Sequence, residues 1–455
     1  MANKRKIVFI GAGSIGFTRG LFSDIMTHER LTDADVYLVD IHKERLEMAR
    51  RSCQKIIDAG GYKSTLHCTM NRREALKGAD AVMTTILCGD VNVWQHDILI
   101  PKKYGIDINV GDTRGPSGIF RFLRTAPEML AICKDIDELC PGAIYLNYTN
   151  PMAMLCQAMQ KSYPDLAISG LCHSVQGTSA MLANWIGVKP EDVDYVCAGI
   201  NHMAYYLKFE KDGKDLYPKI RKAITTKKSV YEAELVRNEM YLAMGYYITE
   251  SSGHNSEYNW WFRKRKDLIK TYCKTTKNSN WNPGEYGYIL KMYKERKRSW
   301  KKGFTDWINS PDWNDQAKCT ERLKCGGEYA SHIINAWCGG EPFKFNGNVP
   351  NTGLVTNLLP DACVEVPVLV SRNRLEPIGV GDLPIACVPL TSLSATCEVM
   401  AVQGSLTGDP ELIYQAIAND PLTASVLSLR EIRKMVKEMF AKNKNHLPQF
   451  KKINL

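Results

Sequence analysis

No apolar run in the 455-residue sequence approaches the roughly 18 residues a membrane span needs, so no membrane partner is expected. The first apolar stretch, Ile7 to Gly13 after Lys4-Arg5-Lys6, is too short and too broken by glycine for a signal peptide, and a cytoplasmic protein is expected. No Cys-x-x-Cys pair occurs, and the 15 cysteines are odd in number and irregularly spaced, which argues against a disulfide framework or a zinc knuckle. Free thiols in a reducing compartment are expected instead. Internal repeats, low-complexity linkers and nucleic-acid-binding motifs are also missing. The net charge of +10 is concentrated in Arg263-Lys264-Arg265-Lys266 and between Lys291 and Lys302. Those runs read as solvated helix faces, and no nucleic-acid partner is expected.

What is present is an α/β pattern. Lys6 to Ile10 reads as a buried strand, followed by Gly11-Ala12-Gly13-Ser14-Ile15-Gly16 and a helical stretch from Phe17 to Thr27. The glycines serve a tight turn, close approach of the backbone to a pyrophosphate, and close helix packing, with the phosphate over the helix N-terminus. Val36 to Val39 then ends on Asp40, where a carboxylate accepts ribose hydroxyls and repels a 2′-phosphate, so NAD is the expected cofactor. Gly11, Gly13, Ser14, Gly16 and Asp40 are the candidate cofactor-binding residues. Further strands are expected at Thr65–Thr69, Ala79–Leu87, Ile106–Val110, Ala143–Leu146 and Ala167–Leu171, alternating with helices. The expected fold is an N-terminal Rossmann-like, doubly wound parallel sheet over residues 1–190, with a C-terminal α+β substrate domain over 191–455, as in lactate and malate dehydrogenases.

Three strand ends deliver chemistry. Ile168 to Leu171 runs into Cys172-His173, an upstream run closes on Asn147-Tyr148-Thr149-Asn150-Pro151, and a third ends on Gly199-Ile200-Asn201-His202. Strand ends are where α/β sheets bind ligands. The glycine-rich loop Gly111 to Gly118 points Asp112 toward nicotinamide and substrate, and Thr249 to Tyr258 packs Glu250, His254 and Glu257 ahead of Trp260-Trp261-Phe262, a possible sugar platform. One thiolate and one imidazole leave a metal open to sugar oxygens, and an oxygen-rich sphere suits Mn²⁺ better than Zn²⁺.

Together, Gly11-Ala12-Gly13-Ser14, Asn147 to Met152, Cys172 to Thr178, Gly199 to Met203 and Thr249 to Ser252 resemble glycoside hydrolase family 4, and within it the melibiase-type α-galactosidases. The likeness extends through Gly340-Glu341-Pro342 and Cys363 to Val366. It implies an exception to two-carboxylate glycoside hydrolysis. NAD⁺ takes hydride from C3 of a small-molecule α-glycoside, a base removes the acidified C2 proton, the aglycone leaves, water adds, and the hydride returns. Carried onto this chain, the resemblance makes Cys172 and His202 the metal ligands, Asn150 a holder of substrate hydroxyls, and Tyr258 the C2 base. It sets His173 where phospho-glycosidases carry their general-acid aspartate. Asp112 is a further catalytic candidate, and Asn201 and His254 are candidates for substrate binding, with Glu250 and His254 competing for acid or base. A homo-oligomer, dimer or tetramer, is implied as well.

Arg114, within the Gly111 to Gly118 loop, could instead recognise an anionic sugar, which would make the chain an α-galacturonidase or α-glucuronidase. A net NAD-dependent sugar or hydroxy-acid dehydrogenase and a silent NAD sensor are the readings from other classes.

Overall fold

The computed structural model describes residues 4–455. Its first half is a parallel sheet: β1 (Lys6–Ile10), β2 (Asp35–Val39), β3 (Thr65–Thr69), β4 (Ala81–Thr84), β5 (Ile144–Asn147) and β6 (Ala167–Gly170), in the spatial order β3-β2-β1-β4-β5-β6. β1, β4 and β5 are buried nearly throughout, as expected where helices cover both faces. The helix Lys43–Gly60 turns its apolar stripe to the sheet and stops at Gly61, whose φ of 64° closes it in the left-handed region.

The second half adds β7 (Asp194–Ile200), β8 (Met203–Lys211), β9 (Lys214–Asp215), β10 (Phe343–Pro350), β11 (Cys363–Ser371) and β12 (Arg374–Pro377), all antiparallel to their neighbours. They continue the same sheet in the order β6-β10-β11-β7-β8-β9, with β12 on β11. The joins are narrow: β10 meets β6 only at Asn348–Gly170, and β11 meets β7 only at Glu365–Gly199. Those rungs lie just before the segments carrying Cys172 and His202. The strands therefore converge where the chemistry-bearing residues stand.

The closing helices Val388–Thr407, Pro410–Ala418 and Leu429–Asn443 pack back onto the first half. The last begins with a capping box, in which Ser428 and Glu431 satisfy each other's amides. Arg124 and Asp97, both fully buried, meet there with Asn443. Of the two basic runs, the first is not wholly a solvated helix face, since Arg263 precedes the helix at Lys266 and is buried against Asp107; the second lies on helix Tyr288–Ile308. Its charged side chains are solvated, and two of them bridge to the first half, Lys301 to Glu44 at 2.6 Å and Lys297 to Asp90 at 2.7 Å.

One expected strand does not form. Ile106 to Val110 is buried but joins no sheet. The amides of Asn109, Val110 and Gly111 donate to the Glu257 carboxylate at 2.7, 3.0 and 2.8 Å, so a side chain supplies what a neighbouring strand would have supplied. No helix among the described residues is long and apolar enough to cross a membrane.

Candidate active site

The glycine-rich turn lies between β1 and helix Ile15–Ile25. Gly11 has φ 88°, and a Cβ there would stand 2.5 Å from the Thr85 carbonyl oxygen. A Cβ on Gly13 would stand 2.6 Å from Asp40 Oδ2, which accepts the Gly13 amide at 2.7 Å. Both positions are cradles that only glycine leaves open, next to a helix N-terminus and an acid at the end of β2, and a dinucleotide fits that donor set. Ser14 caps the helix without a side-chain bond, and Gly16 faces open space, so the third glycine has no packing duty here. Arg45, beside Gly13, lies 4.7 Å from the Trp300 ring on the basic helix.

The second site gathers residues from segments far apart in the sequence. Cys172 follows β6, and its carbonyl accepts from the Tyr329 hydroxyl at 2.8 Å. His202 sits in the tight connection between β7 and β8 with φ 61°, and Glu250 has φ 71°. Left-handed backbone at non-glycine residues is costly and concentrates at functional sites. Thr249 holds Glu250 in place by bonding to Ala204 through both its amide and its hydroxyl. His202 Nε2 lies 3.2 Å from Cys172 Sγ and 3.5 Å from Glu250 Oε2. Ligand bonds of about 2.0–2.3 Å set ligand atoms roughly 3.0–3.6 Å apart around one ion, so Cys172, His202 and Glu250 fit a divalent metal.

Electrostatics favour the same occupant. Burial lowers the His202 pKa to about 4, against the pull of Glu250, so the imidazole is neutral and its lone pair free. Burial raises the Cys172 thiol well above its usual range, and Glu250 and Glu365 push it further, so the thiolate needs a cation beside it. Thr113 Oγ1 reaches His202 Nδ1 at 2.9 Å, an outer contact that orients the ring.

Asp112 meets Asn150 Nδ2 at 3.1 Å and His254 Nε2 at 3.8 Å, and with His202 forms a second compact donor set. Burial acts to raise the Asp112 pKa, but His254, Arg121 and His202 outweigh it, and the carboxyl is held below its usual range. His254 Nδ1 lies 2.8 Å from Ser251 Oγ and 3.2 Å from Glu250 Oε1. Tyr258 Oη stands 3.4 Å from His202 Nδ1, the nitrogen turned away from Cys172. Burial drives its phenol well above the usual range, while Arg114, 4.9 Å from the ring, and Thr113 draw it down.

His173 stands at the rim, with Nε2 2.7 Å from Glu328 and Phe17, Tyr148 and Tyr329 around its ring. Burial alone would lower its pKa, and the bond and charge of Glu328 raise it instead. Asn201 is fully buried. Its side chain faces Glu365 too loosely for a hydrogen bond, and both groups lack partners. Arg114 does not point its charge outward: it is buried, 3.0 Å from Glu398, and bonded to the Asn201 carbonyl. Trp260 and Trp261 pack against the core, and the exposed aromatic beside the site is Trp281. Glu328 and Trp281 carried no sequence signal. Glu365 did, as a lone acid between valines in a buried strand.

Two family models match, the family 4 glycosyl hydrolase model over residues 6–188 and its C-terminal domain over 197–423. The chain belongs to glycosyl hydrolase family 4. It is 36% identical over 454 residues to an α-galactosidase of Bacillus subtilis, covering 98% of this chain and 100% of that one. An α-galactosidase of Rhizobium meliloti is 35% identical (98% and 89% covered), and an α-galacturonidase of B. subtilis 30% (92% and 93% covered). The B. subtilis protein lplD shares the fold with a TM-score of 0.80 at 27% identity, covering 96% and 99%. A 6-phospho-α-glucosidase from gut microorganisms, solved with NAD and Mn²⁺, gives a TM-score of 0.76 at 19% identity, covering 99% and 100%. Malate dehydrogenase of Cryptosporidium parvum gives 0.52 at 17%, covering 89% and 99%. The Rossmann-like half with an α+β second half, expected from the sequence, is thus the family's fold.

Proposed function

We propose that this family 4 enzyme is an α-galactosidase that cleaves a terminal α-galactoside from a small-molecule glycoside and depends on NAD and Mn²⁺. The observation that carries the reading is the Cys172–His202–Glu250 donor set at converging strand ends, within one sheet that also holds a glycine cradle for a dinucleotide. The α-galactosidase relatives, alike along nearly the whole chain, support the substrate.

When bound, NAD supplies reversible oxidation at C3 of the sugar, and the metal supplies Lewis acidity that makes the C2 proton removable. Gly11, Gly13, Ser14, Gly16 and Asp40 would hold the first, and Cys172, His202 and Glu250 the second. Asn150 and Asp112 orient sugar hydroxyls over the pocket floor, with Asn201 and His254 lining it. Tyr258 accepts the C2 proton; Arg114 over its ring offsets part of the burial that holds the phenol high, and a cation held by Cys172, His202 and Glu250 would lower it further. His173, held by Glu328, donates a proton toward the departing oxygen. Glu398 already meets the charge of Arg114, so the galactoside is preferred over the uronide. We further propose that the enzyme acts in the cytoplasm as a homo-oligomer, dimer or tetramer.

The test is hydrolysis of p-nitrophenyl α-galactoside with NAD⁺, Mn²⁺ and a thiol, leaving out each in turn while following NADH. Release that needs all three, without net NADH, is expected. Steady NADH accumulation moves the reading to a dehydrogenase, and preference for the α-galacturonide overturns the substrate. In D₂O, Tyr258→Phe is expected to abolish deuterium entry at C2 and His254→Asn to retain it; the reverse result transfers the base role to His254.

A further inference from the structure

We propose that Trp281 is the platform for the aglycone, the part of the glycoside that leaves, at the mouth of the pocket. The proposal rests on the glycosidase reading above. Trp281 is 52% exposed, and its ring lies 5.6 Å from that of His254, tilted by 35°. A solitary exposed tryptophan on a protein surface needs no explanation. This one is held in place from both sides. Asn282, 1% exposed with φ 54°, donates to Ser251 Oγ at 3.2 Å, and its carbonyl accepts the Gly253 amide at 2.9 Å. On the other side, the Asn280 amide donates to the Ala233 carbonyl at 3.1 Å. The edge of Tyr288 supports the ring at 6.2 Å. The indole is thus tied to the helix Ser252–Glu257 that presents His254, with half its surface left uncovered.

Position decides which part of the substrate it meets. The groups that handle the reacting sugar, His202 and His254 among them, are each 3% exposed, whereas Trp281 beside His254 is 52% exposed. A terminal sugar must enter first to reach them, so its leaving group faces the mouth. An indole offers the C–H face of a second sugar ring apolar area at small conformational cost and requires no charge on it. Trp281 therefore selects a glycosyl aglycone and is indifferent to the sugar that is cut.

The experiment compares two substrates with the full-length enzyme in NAD⁺ and Mn²⁺. One is an α-galactosyl disaccharide; the other is α-galactosyl fluoride, whose leaving group is one atom. Trp281→Ala is expected to lower kcat/KM for the disaccharide about three- to tenfold, mostly through KM. Turnover of the fluoride should stay within about twofold, and Trp281→Phe should recover most of the loss. Equal loss on both substrates, or no loss on either, overturns the proposal. If the unmodified enzyme cleaves neither, the glycosidase reading falls and takes the platform with it. A defect that Trp281→Ala produces on both substrates leaves that reading standing.

Discussion

The glycine crevice and the Cys172 pocket are built on opposite plans. The crevice takes Gly11, Gly13 and Asp40 from one strand-turn-helix-strand unit, and its main bond, the Gly13 amide to Asp40, spans 27 residues. The pocket draws Asp112, Cys172, His202, Glu250 and Glu328 from segments that meet only in the finished fold. The first relies on backbone geometry that needs little from the rest of the chain. The second crowds acids and imidazoles together and is balanced only by imported partners and a cation. Damage to the crevice should therefore stay local, whereas the pocket is open to insult from several directions.

Cys172→Ser separates the two most sharply. Activity is expected to fall more than about 1000-fold and Mn²⁺ affinity more than about 100-fold, with NAD⁺ affinity kept. Electron paramagnetic resonance of free Mn²⁺ reads the metal, and unchanged Mn²⁺ affinity would remove Cys172 from the site. Next comes the buried joint that fastens the last helix to the first half. Asp97→Ala strands the Arg124 charge in a fully buried setting and should cost about 3–5 kcal/mol in urea denaturation. A loss below about 1 kcal/mol would mean the closing helices are held by apolar packing alone. Gly13→Val is the mirror image of the cysteine change. A side chain meeting Asp40 should weaken NAD⁺ more than about 100-fold by titration calorimetry and spare Mn²⁺ binding; equal loss of both would dissolve the contrast.

The smallest effect concerns pH. Burial pushes the Asp420 carboxyl up to about 6, with bonds from Thr423 holding it below what burial alone would give. The unfolded chain ionises near 3.9, so the folded state favours the proton. The stability this contributes is full below about pH 4 and lost as pH rises through 6. Asp420→Asn has no proton to lose and should gain about 2 kcal/mol on the native protein between about pH 4.5 and 7. A gap that stays constant across that range counts against a buried, neutral Asp420.

The same difference between local and imported structure governs what could be read from the residues. The crevice was legible because its parts adjoin in sequence and each turn has a known chemistry. Cys172 and His202 were legible as strand ends. Ile106 to Val110 has the composition of a strand but forms none, since the amides at its end are claimed by Glu257 from far along the chain. Arg114 read as a free cation because nothing near it in sequence announces Glu398. Glu328 and Trp281 belong to loops whose only signal is where they end up.

The Glu257 clamp also sets a timetable. The Gly111 amide waits for a carboxylate 146 residues downstream. At roughly 5–20 residues per second, a ribosome takes between about seven and thirty seconds to make that stretch. Until then the loop bearing Asp112 has three buried-to-be amides with no acceptor, and Arg114 waits longer still for Glu398. A growing chain can shape its nucleotide crevice early, but it acquires a working pocket only near the end of its own synthesis.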